Sequence, residues 1–202
     1  MVNYYTRSGD NGSSSLGNKK VPKNSYFFKL SAEIDSFRSS LNILISKLKR
    51  YEKKSSKNKD LYLFLINELD FIRNLTFSIG AISYFLEINE INSNMPKFDS
   101  GNTKHLEDII DNLKDEFPAP KSFVVFDLLL PAELDKLRTE SRKLEIIFYE
   151  FLNSLGINDN LPDDVKEIQR FLNRLSSYLF VLSLYTNYKL GGQTKGPTYK
   201  RI

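Results

Sequence analysis

The clearest indication of the fold class is the spacing of apolar residues in the segment FFKLSAEIDSFRSSLNILISKL, residues 27–48. Its apolar residues recur at alternating steps of three and four, which is the spacing of one face of an α-helix. The charged run KRYEKKSSKNKD, residues 49–60, then interrupts the pattern, as a surface loop does. The apolar stripe consists of Phe27, Leu30, Ile34, Phe37, Leu41, Leu44 and Leu48. The segment therefore predicts a long amphipathic helix with one side in a core.

Four further stripes with helical spacing follow, at residues 61–86, 104–117, 134–155 and 161–182. The prolines of FPAPK end the third helix, Gly156 ends the fourth, and LPDDVKE opens the fifth. SFVVFDLLL, residues 122–130, resembles a strand, but no partner strand is visible, so we interpret it as an extended connection. The fold class predicted is all-α, an up-and-down five-helix bundle in one domain. It divides into residues 1–23, the bundle at 24–189 and a basic tail at 190–202.

The composition excludes several kinds of site. The chain has no cysteine and a single histidine, His105, so disulfides, thiolate metal sites and a cysteine nucleophile are excluded. A zinc site is not expected either, because histidine and cysteine dominate zinc ligation. His105 itself is predicted to lie on the surface of the third helix, without a role. No apolar run reaches the ~20 residues of a membrane-spanning helix, and no signal or transit pattern opens the chain, so we predict a cytoplasmic protein.

The formal net charge of +4 is concentrated at the two ends of the chain. Residues 1–23 and 189–202 are both basic, whereas the stretch between them carries a net negative charge. Proteins that bind nucleic acids usually cluster basic residues along a folded element. Nucleic-acid binding is therefore not predicted, while a small anionic ligand held by a chain end remains open.

Three polar segments are candidates for chemistry. The first is residues 4–23, YYTRSGDNGSSSLGNKKVPK. This segment is either a loose tail or part of the functional site. The second interpretation rests on its glycines and hydroxyl groups, which suit the binding of a phosphate. It lacks the spacing of a Walker A loop. The spacing of RTESRKLE, residues 138–145, on its own favours a solvated helix face with i,i+4 pairs over a binding site. In FLNRLSSYLF, residues 171–180, Asn173 and Ser176 share one face.

Together and in this order, these segments resemble ATP:cob(I)alamin adenosyltransferases of the propanediol-utilisation and human mitochondrial type. YTRSGDNGSSSLG followed by VPK resembles the N-terminal signature of that family. The later motifs are EIDSF, IRNLTFSIGA, LEDIIDNLKDEFPAPKSFVV, RTESRKLE and FLNRLSSYLFVLSLY. The resemblance covers nearly the whole chain. It implies transfer of the 5′-deoxyadenosyl group of ATP, with Mg²⁺, to the cobalt of cob(I)alamin, releasing triphosphate and forming adenosylcobalamin.

The resemblance also implies a homotrimer with its active sites between neighbouring subunits. Residues 1–23 would wrap ATP, and the implied ATP-binding set is Thr6, Arg7, Ser8, Gly9, Ser14, Ser15, Lys23, Arg142, Lys143, Glu145 and Asn173. The implied catalytic set is Arg138, Arg142 and Phe123, with Phe123 pressing on the lower face of the corrin. Glu33 and Arg138 would lie at the subunit interface. A flavoprotein reductase and an adenosylcobalamin-dependent enzyme are the implied partners.

The chain departs from the family pattern at five places. Ala32 replaces an acid, Lys29-Leu30 a Gly-Thr pair, Lys143 an arginine and Ser177 an aspartate, and the Pro-Gly-Gly after Phe123 is absent. Two hypotheses follow, of which an active adenosyltransferase is favoured. The alternative is a degenerate relative that binds ATP or a corrinoid as a sensor or carrier without transfer. A purely structural oligomer would have no reason to keep TRSGD and Lys23.

Overall fold

A computed structural model describes residue 7 and residues 9–90, 95–120, 122–157 and 161–196 of the chain. The five helices are α1 Tyr26–Glu52, α2 Lys59–Ile88, α3 Ser100–Leu113, α4 Leu129–Leu155 and α5 Asp163–Lys189. Four short strands accompany them, namely β1 Ser13–Leu16, β2 Lys19–Pro22, β3 Val125–Phe126 and β4 Thr194–Lys195. The five-helix architecture confirms the prediction of a helical bundle. The strands pair as β1 with β2 and β3 with β4, both antiparallel.

The helices begin and end where local chemistry favours it. The Ser25 hydroxyl accepts a hydrogen bond from the backbone N–H of Phe28 at 3.4 Å, which caps the first turn of α1. Helix α4 ends at Gly156, whose φ of 68° lies in the left-handed region that glycine adopts without strain. Helix α5 starts after Pro162, with Asp163 in its first turn, where a carboxylate complements the helix dipole. These boundaries agree with the sequence prediction.

Each helix runs antiparallel to the one before it. Helix α1 packs against α2 and α4, and α5 packs against α4, α3 and α2. Near the start of α1, the Phe27 ring lies 6.2 Å from the ring of Phe151, near the end of α4. At the opposite end of the bundle, Lys47 of α1 forms an ion pair with Glu133, in the second turn of α4. These two contacts show that α1 and α4 run antiparallel.

The core contains the predicted apolar stripes. All seven stripe residues of α1 are buried, and so are the six of α5, which are Val165, Ile168, Leu172, Leu175, Leu179 and Leu182. Each such side chain contributes about 1.5–3 kcal/mol when it leaves water. Among the described residues, no helix is both long enough and apolar enough to cross a membrane.

The prediction that residues 122–130 form only an unpaired connection is wrong at two positions. Val125 and Phe126 form strand β3, and their partners are Lys195 and Thr194 in β4. The partner strand lies beyond α5, in a segment rich in glycine and polar residues. Nothing in the local pattern of residues 122–130 marks so distant a partner.

A polar network lies between α2, α3 and α5. The Tyr178 hydroxyl donates to Oε2 of Glu68 at 2.5 Å, and Nε2 of His105 lies 2.8 Å from the same oxygen. Tyr178 is fully buried and Glu68 nearly so. Burial, followed by the charge of Glu68, raises the pKa of the Tyr178 hydroxyl well above its ordinary value, so this group acts as a donor. His105, predicted to be a surface residue without a role, thus forms a hydrogen bond with a buried side chain.

We expect Tyr178→Phe to lower the free energy of unfolding by about 1–3 kcal/mol, because it removes a donor from a buried carboxylate. Urea denaturation followed by circular dichroism measures the change. Tyr188→Phe is the matched control, since Tyr188 is half-exposed near the end of the same helix. Equal midpoints for the two variants would contradict a structural role for the Tyr178–Glu68 bond.

Candidate active site

The described part of the N-terminal segment forms a β-hairpin. Strands β1 and β2 are joined by Gly17 and Asn18, and Gly17 has a φ of 56°. A two-residue turn that opens on a positive φ requires glycine at that place. Val21 is only 2% exposed, so the hairpin is packed on the bundle rather than loose.

One lysine anchors the hairpin to the last turn of α2. The ammonium of Lys19 donates to Oε1 of Glu87 at 2.8 Å and to its backbone oxygen at 2.7 Å. Glu87 is buried, whereas Lys19 is half-exposed. At the turn, a Cβ on Gly17 would lie 3.5 Å from the Tyr84 hydroxyl. The hairpin therefore rests on the C-terminal end of α2 through both its turn and its second strand.

The hairpin brings Gly9 and Lys23 together. A Cβ added to Gly9 would lie 2.8 Å from the Lys23 ammonium nitrogen, so that ammonium lies against the Gly9 backbone. The backbone N–H of Lys23 donates to the oxygen of Gly12 at 2.9 Å, and Gly12 adopts a φ of 73°. Main-chain groups beside an ammonium suit an anionic ligand such as a phosphate.

The other N-terminal residues of the predicted ATP set are placed unevenly. Ser14 is half-buried in β1, and Ser15 is exposed in the same strand. Arg7 is exposed, with a φ of 60° that side chains rarely adopt. Thr6 and Ser8 lie outside the described residues. Their predicted roles stay predictions.

A second polar set lies on α4, α5 and α1. The Asn173 amide donates to Oε1 of Glu145 at 3.0 Å, which joins α5 to α4. The Lys143 ammonium lies 2.5 Å from Oε2 of Glu33, whose side chain is only 8% exposed. Arg142 is exposed beside them. The second arginine of the family motif, here Lys143, is thus engaged with α1.

A cavity of about 740 Å³ opens beside this set, between the Phe123 loop and the faces of α4 and α5. Phe123 is 80% exposed at its rim. Nε of Arg138 donates to Oδ1 of Asp135 at 2.6 Å, and the guanidinium carbon lies 5.8 Å from the centroid of the Phe180 ring. The lining consists of Pro120, Ser122, Phe123, Val124, Asp135, Arg138, Arg142, Ser176, Ser177 and Phe180.

Comparison with known proteins identifies the family. The family described as cobalamin adenosyltransferase matches residues 4–186 of the chain. The chain belongs to this family. A corrinoid adenosyltransferase from Citrobacter freundii is 25% identical over 185 residues, covering 91% of this chain and 94% of that protein. The match confirms the family and the class of enzyme predicted from the motifs.

Solved structures of adenosyltransferases agree with the fold. A phenylalanine-to-histidine variant of the PduO-type ATP:corrinoid adenosyltransferase from Lactobacillus reuteri, complexed with cobalamin and ATP, is 26% identical, with a TM-score of 0.76 and 95% of both chains covered. A phenylalanine-to-alanine variant of the same enzyme, also with cobalamin and ATP, is again 26% identical with a TM-score of 0.76. That alignment covers 98% of this chain and 100% of the other.

No polar contact between described residues joins the two predicted halves of the ATP site. No hydrogen bond or ion pair between described residues joins the hairpin to Arg142, Glu145 or Asn173. Arg142, by contrast, belongs both to the helical polar set and to the lining of the cavity. It therefore connects the region predicted for ATP with the region predicted for the corrin.

Two groups in this adenosyltransferase escaped the sequence prediction. The Lys19–Glu87 anchor joins residues that are 68 positions apart, and Glu87 belongs to none of the quoted segments. Asp135, the partner of Arg138, was also missed, although its spacing of three residues on a predicted helix was a usable signal.

We expect Gly9→Ala to raise the KM for ATP about tenfold while the free energy of unfolding stays nearly unchanged. The new methyl group would meet only the flexible end of Lys23 and would push the ammonium aside, and one displaced charged contact is worth about 1.5–3 kcal/mol. Initial rates at varied ATP measure the effect. An unchanged KM for ATP would remove the Gly9–Lys23 contact from the nucleotide site.

Proposed function

We propose that this protein transfers the 5′-deoxyadenosyl group of ATP to the cobalt of a cob(I)alamin-type corrinoid, releasing triphosphate. The observation that carries the proposal is the family match over residues 4–186, together with a cavity of about 740 Å³ that Phe123 and Arg142 both line. Reduced cobalt is itself a strong nucleophile toward the 5′ carbon of ATP. The protein therefore needs neither a nucleophile nor a base, in keeping with a chain that has no cysteine and one histidine.

We propose that the residues predicted to bind ATP stabilise the leaving triphosphate. Negative charge develops on the phosphates as the bond to the 5′ carbon breaks, and fixed cations in a site shielded from water stabilise it most. We assign this role to Lys23, held against Gly9, and to Arg142 at the edge of the cavity. Glu145 and Asn173, joined by their hydrogen bond, would orient the nucleotide.

We propose that Mg²⁺ enters with ATP rather than as a resident ion. Within the described ranges, no group of three or more histidine, cysteine, aspartate or glutamate side chains is placed to hold a metal ion. The oxygens of the triphosphate are hard ligands that Mg²⁺ prefers, and the ion would add positive charge there.

We propose that the corrinoid binds in the cavity between the Phe123 loop and helices α4 and α5. Phe123 exposes most of its ring at the rim, and Phe180 lies on the opposite helical wall. A large exposed aromatic is stabilised when a ligand covers it. We propose that Phe123 packs on the lower corrin face and excludes the lower axial ligand from the cobalt.

We propose that the complete site forms between subunits of a homotrimer. Among the described residues of one subunit, no hydrogen bond or ion pair joins the hairpin to Arg142, which supports this arrangement because a neighbour can supply the missing half. Glu33 is occupied by Lys143 within its own subunit. Asp35 is likewise paired, with Arg38 at 2.8 Å, so the interface roles implied for Glu33 and Arg138 stay predictions. The reductase, the adenosylcobalamin-dependent enzyme and the cytoplasmic location stay predictions.

Anaerobic spectroscopy tests the proposal. The protein is mixed with chemically reduced cob(I)alamin and Mg·ATP, and the visible spectrum is followed. We expect the Co(I) band to disappear while adenosylcobalamin appears, with one triphosphate released per turnover. An unchanged spectrum, with ATP binding intact in a parallel titration, would support the sensor or carrier instead.

A further inference from the structure

The chain that follows α5 folds back onto the segment that carries Phe123. Thr194 and Lys195 pair with Phe126 and Val125 in an antiparallel ladder. Strand β3 begins two residues after Phe123, which is 80% exposed at the rim of the cavity. The pairing therefore ties the C-terminal segment to the backbone that presents Phe123.

An ion pair reinforces the same contact. The Lys195 ammonium lies 2.7 Å from Oδ2 of Asp127, the residue directly after β3. Both side chains are about half-exposed, so solvent screens their attraction and the pair on its own adds little stability. The ion pair instead sets the register of the two segments, because it fixes which of their residues lie side by side.

Two glycines allow the segments to approach more closely than side chains would permit. A Cβ on Gly196 would lie 2.7 Å from the hydroxyl oxygen of Ser122, the residue before Phe123. A Cβ on Gly192 would lie 2.3 Å from Oδ1 of Asn187 and 2.7 Å from a methyl carbon of Leu128. The returning chain thus contacts the loop on both sides of Phe123.

We infer that residues 191–196, the C-terminal strap, position Phe123 for the corrinoid half of the reaction. A two-residue ladder is marginally stable alone, so the strap holds the loop without locking it. A loop that is ordered before the ligand arrives avoids the cost of being ordered on binding. The strap therefore favours the corrinoid and leaves ATP unaffected. This role rests on the proposed function, since Phe123 matters only if a corrinoid covers it.

Gly192→Val tests the strap, with Gln193→Val, at the exposed neighbouring position, as the matched control. We expect Gly192→Val to raise the KM for the corrinoid about tenfold, the size expected when one side chain must be ordered on binding. The KM for ATP should stay close to that of the control. A parallel rise in both KM values would overturn the inference.

Reversing the charges of Lys195 and Asp127 tests whether the two residues act as a pair. Lys195→Asp and Asp127→Lys should each raise the KM for the corrinoid two- to threefold, within the range of an exposed ion pair. The double variant restores an opposite-charge pair and should recover most of the loss. Additive losses in the double variant would show that the two residues act separately, which contradicts the strap.

A readout independent of activity comes from fluorescence, because the chain contains no tryptophan. Phe123→Trp introduces the single tryptophan of the chain into the loop, where it can be excited selectively over the eleven tyrosines. Its anisotropy should fall when Gly192→Val is added. Unchanged anisotropy would overturn the inference. If the unmodified protein fails to transfer adenosyl, the proposed function fails, while the anisotropy still reports whether residues 191–196 hold the loop.

Discussion

Arg142→Ala is expected to abolish measurable ATP binding and to lower kcat/KM for ATP by about 10²–10³-fold, the usual effect of removing one group that stabilises developing charge. Arg142 lies on the side of α4 that faces the cavity, next to the Glu145–Asn173 hydrogen bond. Within the described part of the chain, its guanidinium has no ion-pair partner, so it is available to the triphosphate. Isothermal titration calorimetry with ATP and initial-rate kinetics measure the two effects.

Two further variants control this experiment. Arg50→Ala removes an exposed arginine from the last turn of α1 and should leave ATP affinity unchanged. Arg142→Lys keeps the charge but loses the planar fork, so it should retain only part of the activity. Because Arg142 is exposed, its truncation should leave the unfolding midpoint where it was. Unchanged ATP affinity in Arg142→Ala would remove this residue from the site.

Phe123→Ala should slow adenosyl transfer roughly 10- to 100-fold, since burying a phenylalanine side chain is worth about 1.5–3 kcal/mol. ATP affinity should change much less, because the ring stands at the rim of the cavity and no residue of the hairpin lines that cavity. Single-turnover kinetics at saturating ATP, combined with ATP titration, separate the two quantities.

The free energy of unfolding distinguishes a functional role of the Phe123 ring from a structural one. Phe123 is 80% exposed, so its truncation should leave the free energy of unfolding unchanged, as should truncation of Leu63, another exposed apolar residue. Phe123→Leu keeps most of the apolar volume and should recover part of the rate. Equal losses of transfer rate and ATP affinity in Phe123→Ala would argue that the ring supports the fold instead.

The helices were predictable because their signals are local. The alternating steps of three and four from Phe27 to Leu48 need only the rule that one face of a helix is buried, and those positions are buried. The end of α4 was visible in Gly156 for the same reason. Helix boundaries and core faces thus depend on residues within a few turns of one another.

The N-terminal hairpin was missed because composition misled the interpretation. Residues 4–23 contain few apolar side chains, so the segment seemed unable to order itself. Its order instead comes from one buried valine, Val21, and from the Lys19–Glu87 contact with α2. The Gly17–Asn18 pair was the usable signal, because such dipeptides favour two-residue hairpin turns.

The candidate site was predictable only through the family resemblance. Spacing placed Arg138, Arg142 and Glu145 on one side of a helix, but a solvated face explained that spacing equally well. The pairing of Lys143 with Glu33 joins α4 to α1, and no local rule connects those positions. The same holds for β3 and β4, whose contact depends on where α5 ends.

The packing of α1 between α2 and α4 has a consequence for synthesis on the ribosome. Helix α2 can dock on α1 as soon as both have emerged, but the side of α1 that meets α4 must wait until residue 155 is made. At about 5–20 residues per second, translation from the end of α2 to the end of α4 takes roughly 3–13 s. Throughout that interval an apolar strip that includes Phe27 is uncovered in the nascent chain. Slower codons between α2 and α4 would therefore lengthen the period in which chaperones must protect the chain.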